Sequence, residues 1–239
     1  VVKRAIVTGG SRGIGLAVAT ALVKDGARVM ITGLDRARLD AAVAGLARAA
    51  GDPSRVAGTV ADVRDRAAVE TLVKETEARF GGLDTLVNNA GVGAFADAAA
   101  MADADWHRVI DTNLTGVFYC TRAAIPAMKR AGGGWIVNIA SLAGRNYFPG
   151  GAAYCASKAG LVAFSEAVMQ EVRFDDIRVS VVMPGSVATE FAGHADAGDT
   201  AWKLSADDVA QAVMDLLRHP GRSLPSKVEI RPARPKSRA

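Results

Sequence analysis

The sequence predicts an α/β fold, a doubly wound parallel sheet of about seven strands with helices on both faces. Short apolar runs alternate with helical patterns from one end of the chain to the other, the order that places a helix between successive parallel strands. Most runs are continuously apolar rather than alternating, as suits strands covered on both sides. A glycine-rich turn, Thr8–Gly15, separates the first strand from the first helix, where the backbone must turn sharply.

The first strand reads Ala5–Thr8 and the first helix Ile14–Lys24. Strand Arg28–Thr32 leads through Gly33 to helix Arg36–Arg48, with Asp35 as either an acid sensing a ligand at the strand end or an N-cap. Strand Arg55–Val60 is followed by helix Arg66–Arg79, which Gly81-Gly82 closes. Strand Thr85–Asn88 precedes one long helix, Trp106–Arg130, closed by Gly132-Gly133-Gly134. Strand Trp135–Ala140, helix Ala152–Arg173 and strand Val179–Met183 follow, and Pro184-Gly185 turns the chain into a loop. Ser205 caps an acidic first turn, Asp207-Asp208, opening helix Asp207–Arg218. Strand Val228–Ile230 ends the pattern. No repeat or linker interrupts it, so residues 1–239 read as one domain, with a glycine- and alanine-rich segment near 186–203 as a lid.

Of the 239 residues, 50% are hydrophobic and 23% charged, an ordinary composition for a water-soluble globular domain. The formal charge of +4 is matched by Arg231, Arg234, Lys236 and Arg238 near the end, and no helix carries a basic stripe interleaved with aromatics, so nucleic acid is not an expected partner. No apolar run has the length of a membrane span, and no signal peptide opens the chain. The 2 cysteines, Cys120 and Cys155, read as small buried hydrophobes and point to a reducing, cytoplasmic compartment. His107, His194 and His219 are scattered, so no metal site is expected.

Tyr154 and Lys158 stand one helical turn apart, on one face. An ammonium beside a phenol favours the phenolate, so the Tyr154 pKa is expected to fall, giving a usable proton donor and acceptor. Gly9, Ser11, Arg12, Gly13, Ile14 and Gly15 form a Gly-x-x-x-Gly-x-Gly turn that offers a helix N-terminus to a pyrophosphate. After the second strand, Ile31-Thr32-Gly33-Leu34-Asp35-Arg36 has no acid at the first position, and Arg12 and Arg36 are candidate partners of a 2′-phosphate. The reading favours NADP, with NAD as the alternative.

Thr8–Gly15, Asp62-Val63, Asn88-Asn89-Ala90-Gly91, Asn113, Ser141, Tyr154-x-x-x-Lys158 and Pro184-Gly185-Ser186-Val187-Ala188-Thr189 together resemble the short-chain dehydrogenase/reductase family, with a likeness to bacterial 3-oxoacyl-acyl-carrier-protein reductases. The resemblance implies a Rossmann-type sheet and a hydride transfer interconverting a carbonyl and a secondary alcohol. It assigns Ser141 to the substrate oxygen and Tyr154 to the proton on that oxygen. Lys158 would tune Tyr154 and hold the nicotinamide ribose, and Asn113 would anchor a relay water. Asp62 and Val63 would meet adenine. Asn89, Ala90 and Gly91 would line the ribose and nicotinamide. Val187 and Thr189, following Pro184 and Gly185, would hold the carboxamide. The implied partners are a small-molecule carbonyl or alcohol and further copies of the chain, as a homodimer or homotetramer through the apolar helices Thr115–Arg130 and Ala156–Arg173. Phe95, Leu142, Tyr147, Phe148, Met183, Phe191 and Trp202 are candidates to surround the substrate. A catalytically silent dinucleotide sensor on the same fold is the alternative, though it would have no use for Tyr154.

Overall fold

The computed structural model describes residues 4–189 and 200–234. Its strands are β1 (Arg4–Val7), β2 (Arg28–Gly33), β3 (Val56–Val60), β4 (Thr85–Asn88), β5 (Gly134–Ile139), β6 (Ile177–Pro184) and β7 (Lys227–Ile230). They form one sheet of order β3-β2-β1-β4-β5-β6-β7, parallel at every pairing. The order reverses between β1 and β4, which pair with Val7 opposite Val87. In open α/β sheets the ligand crevice lies at the carboxyl ends of the strands flanking that reversal. Thr8 and Asn89 stand at this point.

The helices are α1 (Gly13–Lys24), α2 (Arg36–Ala50), α3 (Arg66–Phe80), α4 (Asp103–Ile110), α5 (Gly116–Ala131), α6 (Ala152–Val172) and α7 (Ala206–Leu217). On one face Val18, Leu22, Leu39, Leu46, Val213 and Leu217, from α1, α2 and α7, pack with the sheet. On the other, Val69, Leu72, Cys120, Ala124, Met128 and Val168, from α3, α5 and α6, do so. Asp35 caps α2 by accepting from the Arg38 N–H at 2.9 Å. Asp65 caps α3, and Ser205 with Asp208 forms a reciprocal capping box on α7. Each such cap contributes about 1 kcal/mol. Gly51, Gly81 and Gly132 end α2, α3 and α5 in the left-handed conformation. No helix among the described residues is long and apolar enough to cross a membrane.

Two departures from the sequence expectation concern the long helix. It starts at Asp103, not Trp106, because Asp103 and Asp105 stabilise its positive end. It is also interrupted by a π-helical turn, Asp111–Thr115, between α4 and α5. Such a turn holds one residue more than an α-helical turn and changes the direction of the side chains within it.

A buried polar chain fixes α5 and α6 on the sheet. The Asn88 amide donates to Asn138 Oδ1 at 2.8 Å and to Thr121 at 3.3 Å. Asn138 donates to Ser165 at 2.7 Å, and Ser165 donates to the Leu161 carbonyl at 2.6 Å. Asn88 and Asn138 face each other in register on β4 and β5. Asn88 Oδ1 is buried without a partner.

Candidate active site

The glycine turn is shaped by close backbone approach. Gly9 and Gly13 have φ of +61° and +53°, which favours glycine at both. A Cβ on Gly15 would lie 2.3 Å from the Gly9 carbonyl oxygen and 2.4 Å from Asn89 Nδ2. One on Gly10 would lie 2.7 Å from Ile31 Cγ2. Asn89 bridges the two flanking strands: Nδ2 donates to the Thr8 and Gly9 carbonyls at 3.0 and 3.1 Å. The Thr8 hydroxyl accepts from the Asn89 and Ala90 N–H groups, each at 3.0 Å. The Asn89 side chain is thus engaged in holding the turn. Arg12, at the N-cap of α1, places no side-chain acceptor on the first-turn N–H groups, so the positive end of α1 opens onto the cradle that the missing side chains leave. That combination suits a pyrophosphate. Thr189 lies against Gly13, its Cγ2 3.5 Å from where a Cβ would stand, so the loop after β6 returns to the turn.

At the end of β2, Gly33 is packed by Ser11; a Cβ there would lie 2.8 Å from the Ser11 hydroxyl. Leu34 is 66% exposed. The Asp35 carboxylate is used in capping α2, while Arg36 is exposed and lies 3.6 Å from Asp40. At the end of β3, the Asp62 carboxylate accepts from the Arg64 N–H at 2.9 Å and from its guanidinium at 2.6 and 3.0 Å. This pairing holds the Asp62 carboxyl below its ordinary range. Sequence reading passed over Arg64, although a residue two positions past an Asp is where an Asx turn closes.

Asn113 sits in the π-helical turn and is fully buried. Its Oδ1 accepts from the Val92 N–H at 2.8 Å, and its Nδ2 donates to the Val92 carbonyl at 2.9 Å and to the Ser157 hydroxyl at 3.0 Å. Ser157 in turn donates to the Tyr154 carbonyl at 2.8 Å. Asn113 therefore joins the loop after β4 to the first turns of α6. Ser157, one turn along from Tyr154, was also overlooked in the sequence; Ser three or four residues past a carbonyl commonly bonds back to it.

The four residues expected to act together converge. Ser141 ends the extended stretch after β5 and accepts from the Ala143 N–H at 3.1 Å. Its hydroxyl neighbours the Tyr154 phenol closely enough to draw that phenol's pKa down in part. Lys158 is 5% exposed, donates to the Ile139 carbonyl at 2.9 Å, and lies 5.8 Å from the centre of the Tyr154 ring. A Cβ on Gly91 would lie 3.3 Å from Asn113 Oδ1 and 3.6 Å from Lys158 Nζ, so Gly91 keeps these two side chains close.

The electrostatics correct one expectation. The Tyr154 pKa is raised, not lowered: burial pushes it up, and the Ser141 hydroxyl opposes this only in part. Lys158 is aimed at a backbone carbonyl rather than at the phenol. Burial also pushes the Lys158 ammonium from its ordinary 10.5 down to about 8. Between these values the unfolded chain binds more protons than the native chain, so stability rises with pH across this window. Below about pH 8 the buried charge costs the native state up to about 3 kcal/mol. Lys158→Met removes that cost, and the variant's stability relative to the parent should fall by a comparable amount between roughly pH 7 and pH 10. Urea unfolding across that range checks this; a pH-independent difference would mean that the ammonium is not destabilised.

Cys120 is buried and its thiol is pushed up to about 12, which makes it inert; Cys155 is buried too. Met183 is 2% exposed and packs with Val117, Leu161 and Val181, so it is core rather than a substrate contact. Phe95 and Phe148 stand at the site and Tyr147 is exposed. Phe191 and His194 lie outside the described residues, as does most of the expected lid. The two flanks of that segment are joined: the Ala188 N–H donates to the Leu204 carbonyl at 2.8 Å, and the Leu204 N–H to the Ser186 carbonyl at 2.9 Å.

Among curated proteins, the chain is 39% identical over 188 residues to a 3-oxoacyl-acyl-carrier-protein reductase of Haemophilus influenzae, covering 79% of this chain and 75% of that one. Among solved structures, it superposes on an alcohol dehydrogenase of the archaeon Thermococcus sibiricus complexed with 5-hydroxy-NADP, at TM-score 0.90 and 30% identity over 99% of this chain and 100% of that one. It also superposes on a metagenomic short-chain oxidoreductase in complex with NADP, at TM-score 0.83 and 37% identity over 97% of both chains. The sheet order, the glycine cradle and the Ser141–Tyr154 pair thus occur in a chain whose residues 3–200 match the family model described as short chain dehydrogenase, and the protein belongs to that family.

Proposed function

We propose that this oxidoreductase interconverts a ketone and a secondary alcohol, running chiefly as an NADP-dependent ketoreductase. The observation that carries this is the Tyr154 hydroxyl neighbouring Ser141, one turn from buried Lys158, whose ammonium borders Gly91. The cradle fits a dinucleotide pyrophosphate at Gly9–Gly15, and Asp62 and Val63 would meet the adenine. Arg12 and Arg36 would face a 2′-phosphate, with Asp35 committed to its cap. Asn89, Ala90, Gly91, Pro184, Gly185, Val187 and Thr189 would border the ribose and nicotinamide. The two neighbours solved with NADP or its 5-hydroxy form support the choice of cofactor.

A nicotinamide dinucleotide supplies the hydride when bound. The protein's share is to hold the carbonyl oxygen between the Ser141 and Tyr154 hydroxyls and to neutralise the negative charge that develops there. A phenol whose pKa is raised stays protonated at neutral pH, so Tyr154 is loaded as the donor that reduction requires. Lys158 lies behind it, in reach of a ribose placed at Gly91, and Asn113 keeps the Gly91–Val92 loop in position. The direct test is NADPH oxidation over a panel of ketones, with NADH in parallel. Turnover that Tyr154→Phe abolishes supports the reading; a parent that binds NADPH yet turns over no ketone would favour the sensor instead.

The assembly reading rests on an aromatic surface along α5 and α6. Phe118 is 39% exposed and stacks near Tyr119 and Phe164 at 5.6 and 6.4 Å, with the Arg122 guanidinium 4.7 Å above its ring. A second copy is proposed to cover it. Light scattering is expected to give a dimer or tetramer, and a stable monomer would count against this.

A further inference from the structure

Phe95, Phe148 and Tyr154 make a continuous aromatic shelf at the reactive hydroxyl. Phe95 meets Tyr154 edge-on, centroids 5.7 Å apart at 65°, and lies 6.1 Å from Phe148. Phe95 and Phe148 are 48% and 44% exposed, so each ring keeps a large uncovered surface. The shelf is built into the fold. A Cβ on Gly151 would lie 2.5 Å from Phe148 Cε2 and 2.7 Å from its Cζ, so glycine at the entry to α6 makes room for that ring. The Ala96 N–H donates to the Gly150 carbonyl at 2.9 Å, tying the loop that carries Phe95 to the loop that carries Phe148.

We propose that the shelf takes the aryl group of a small ketone, so that aryl ketones and the matching secondary alcohols are the substrate class. This rests on the oxidoreductase reading above. The ring that contributes its hydroxyl to the substrate oxygen is itself part of the shelf, so a group bonded directly to the carbonyl carbon falls within reach of Phe95. Ring quadrupoles favour edge-to-face and offset contacts, which an aromatic substituent meets and a straight chain does not. In the reaction the ketone carbon gains a hydride from the reduced dinucleotide, which is oxidised, and the oxygen gains the Tyr154 proton.

The experiment compares kcat/KM with NADPH for phenyl methyl ketone, a straight-chain methyl ketone of equal carbon number and a carrier-bound 3-oxoacyl thioester. It uses the parent, Phe95→Leu and Phe148→Leu, with NADPH fluorescence confirming that each variant is folded. Leucine keeps apolar area and removes the ring. The parent should prefer the aryl ketone about tenfold or more, and each variant should lose roughly three- to tenfold of that preference. Equal use of aryl and straight-chain ketones, a preference for the carrier-bound thioester, or an aryl preference unmoved in both variants overturns the shelf while the oxidoreductase reading stands. No turnover of any of the three overturns both.

Discussion

Replacing Tyr154 by Phe should lower turnover about a thousandfold, within the range for loss of a positioned proton donor, while NADPH affinity changes by no more than a few-fold. The substitution removes one oxygen from a half-buried side chain and keeps the ring that packs on Phe95, so the shape of the site survives. Under the proposed mechanism, what is lost is the proton that must reach the oxygen as hydride arrives, and Ser141 alone, with an alcohol's far higher pKa, would not supply it. Stopped-flow measurement of NADPH consumption in a single turnover separates this step from product release. A chemical step slowed less than tenfold would assign the proton to another group.

Gly15→Ala should weaken dinucleotide binding by more than tenfold and destabilise the chain by about 1–3 kcal/mol, as overpacking does. Two effects compete. Alanine inside a helix is favoured over glycine by about 1 kcal/mol, and α1 begins two residues earlier. Against this, the new methyl would stand 2.3 Å from the Gly9 carbonyl oxygen and 2.4 Å from Asn89 Nδ2. The first obstacle is backbone, and the second is a side chain fixed by two hydrogen bonds, so the turn must open. Thermal unfolding together with NADPH titration checks both effects; a variant with unchanged affinity would show that the cradle tolerates displacement.

The seven strands and the glycine turn were legible because each is written in local composition: short continuous apolar runs punctuated by glycine and cap residues. Their edges were less so. The sixth strand was read from Val179, yet β6 begins at Ile177. Arg178 lies outside the apolar run that begins at Val179, but its guanidinium lies 4.7 Å above the Trp135 ring on β5, a long-range contact that local pattern does not encode. The π-helical turn was invisible for a similar reason, since Asp111–Thr115 has no special composition and its register is set by what Asn113 must reach.

In the site, residue identities could be read but energetics could not. Spacing put Tyr154 and Lys158 on one face, and they are there. The sign of the Tyr154 shift depends on burial and on where Lys158 points, and the latter is fixed by the Ile139 carbonyl on a distant strand. Arg64 had a local signal in the Asx turn with Asp62, whereas Gly151 takes its meaning from the Phe148 ring folded against it.

The π-helical turn also sets a mechanical constraint. An α-helix advances by about 100° per residue, and the wider π turn takes up one extra residue locally, so the helix keeps its phase on either side. Trimming one residue between Asp111 and Thr115 would therefore leave Val117, Cys120 and Ala124 on the sheet and pull the Asn113 amide away from Val92 and Ser157. The surplus residue works as a local bulge: it lets an amide face the reaction chamber on one side of the turn while the hydrocarbon seam on the other stays aligned. Insertions and deletions should therefore be tolerated almost anywhere along this helix's exposed ends sooner than at its middle.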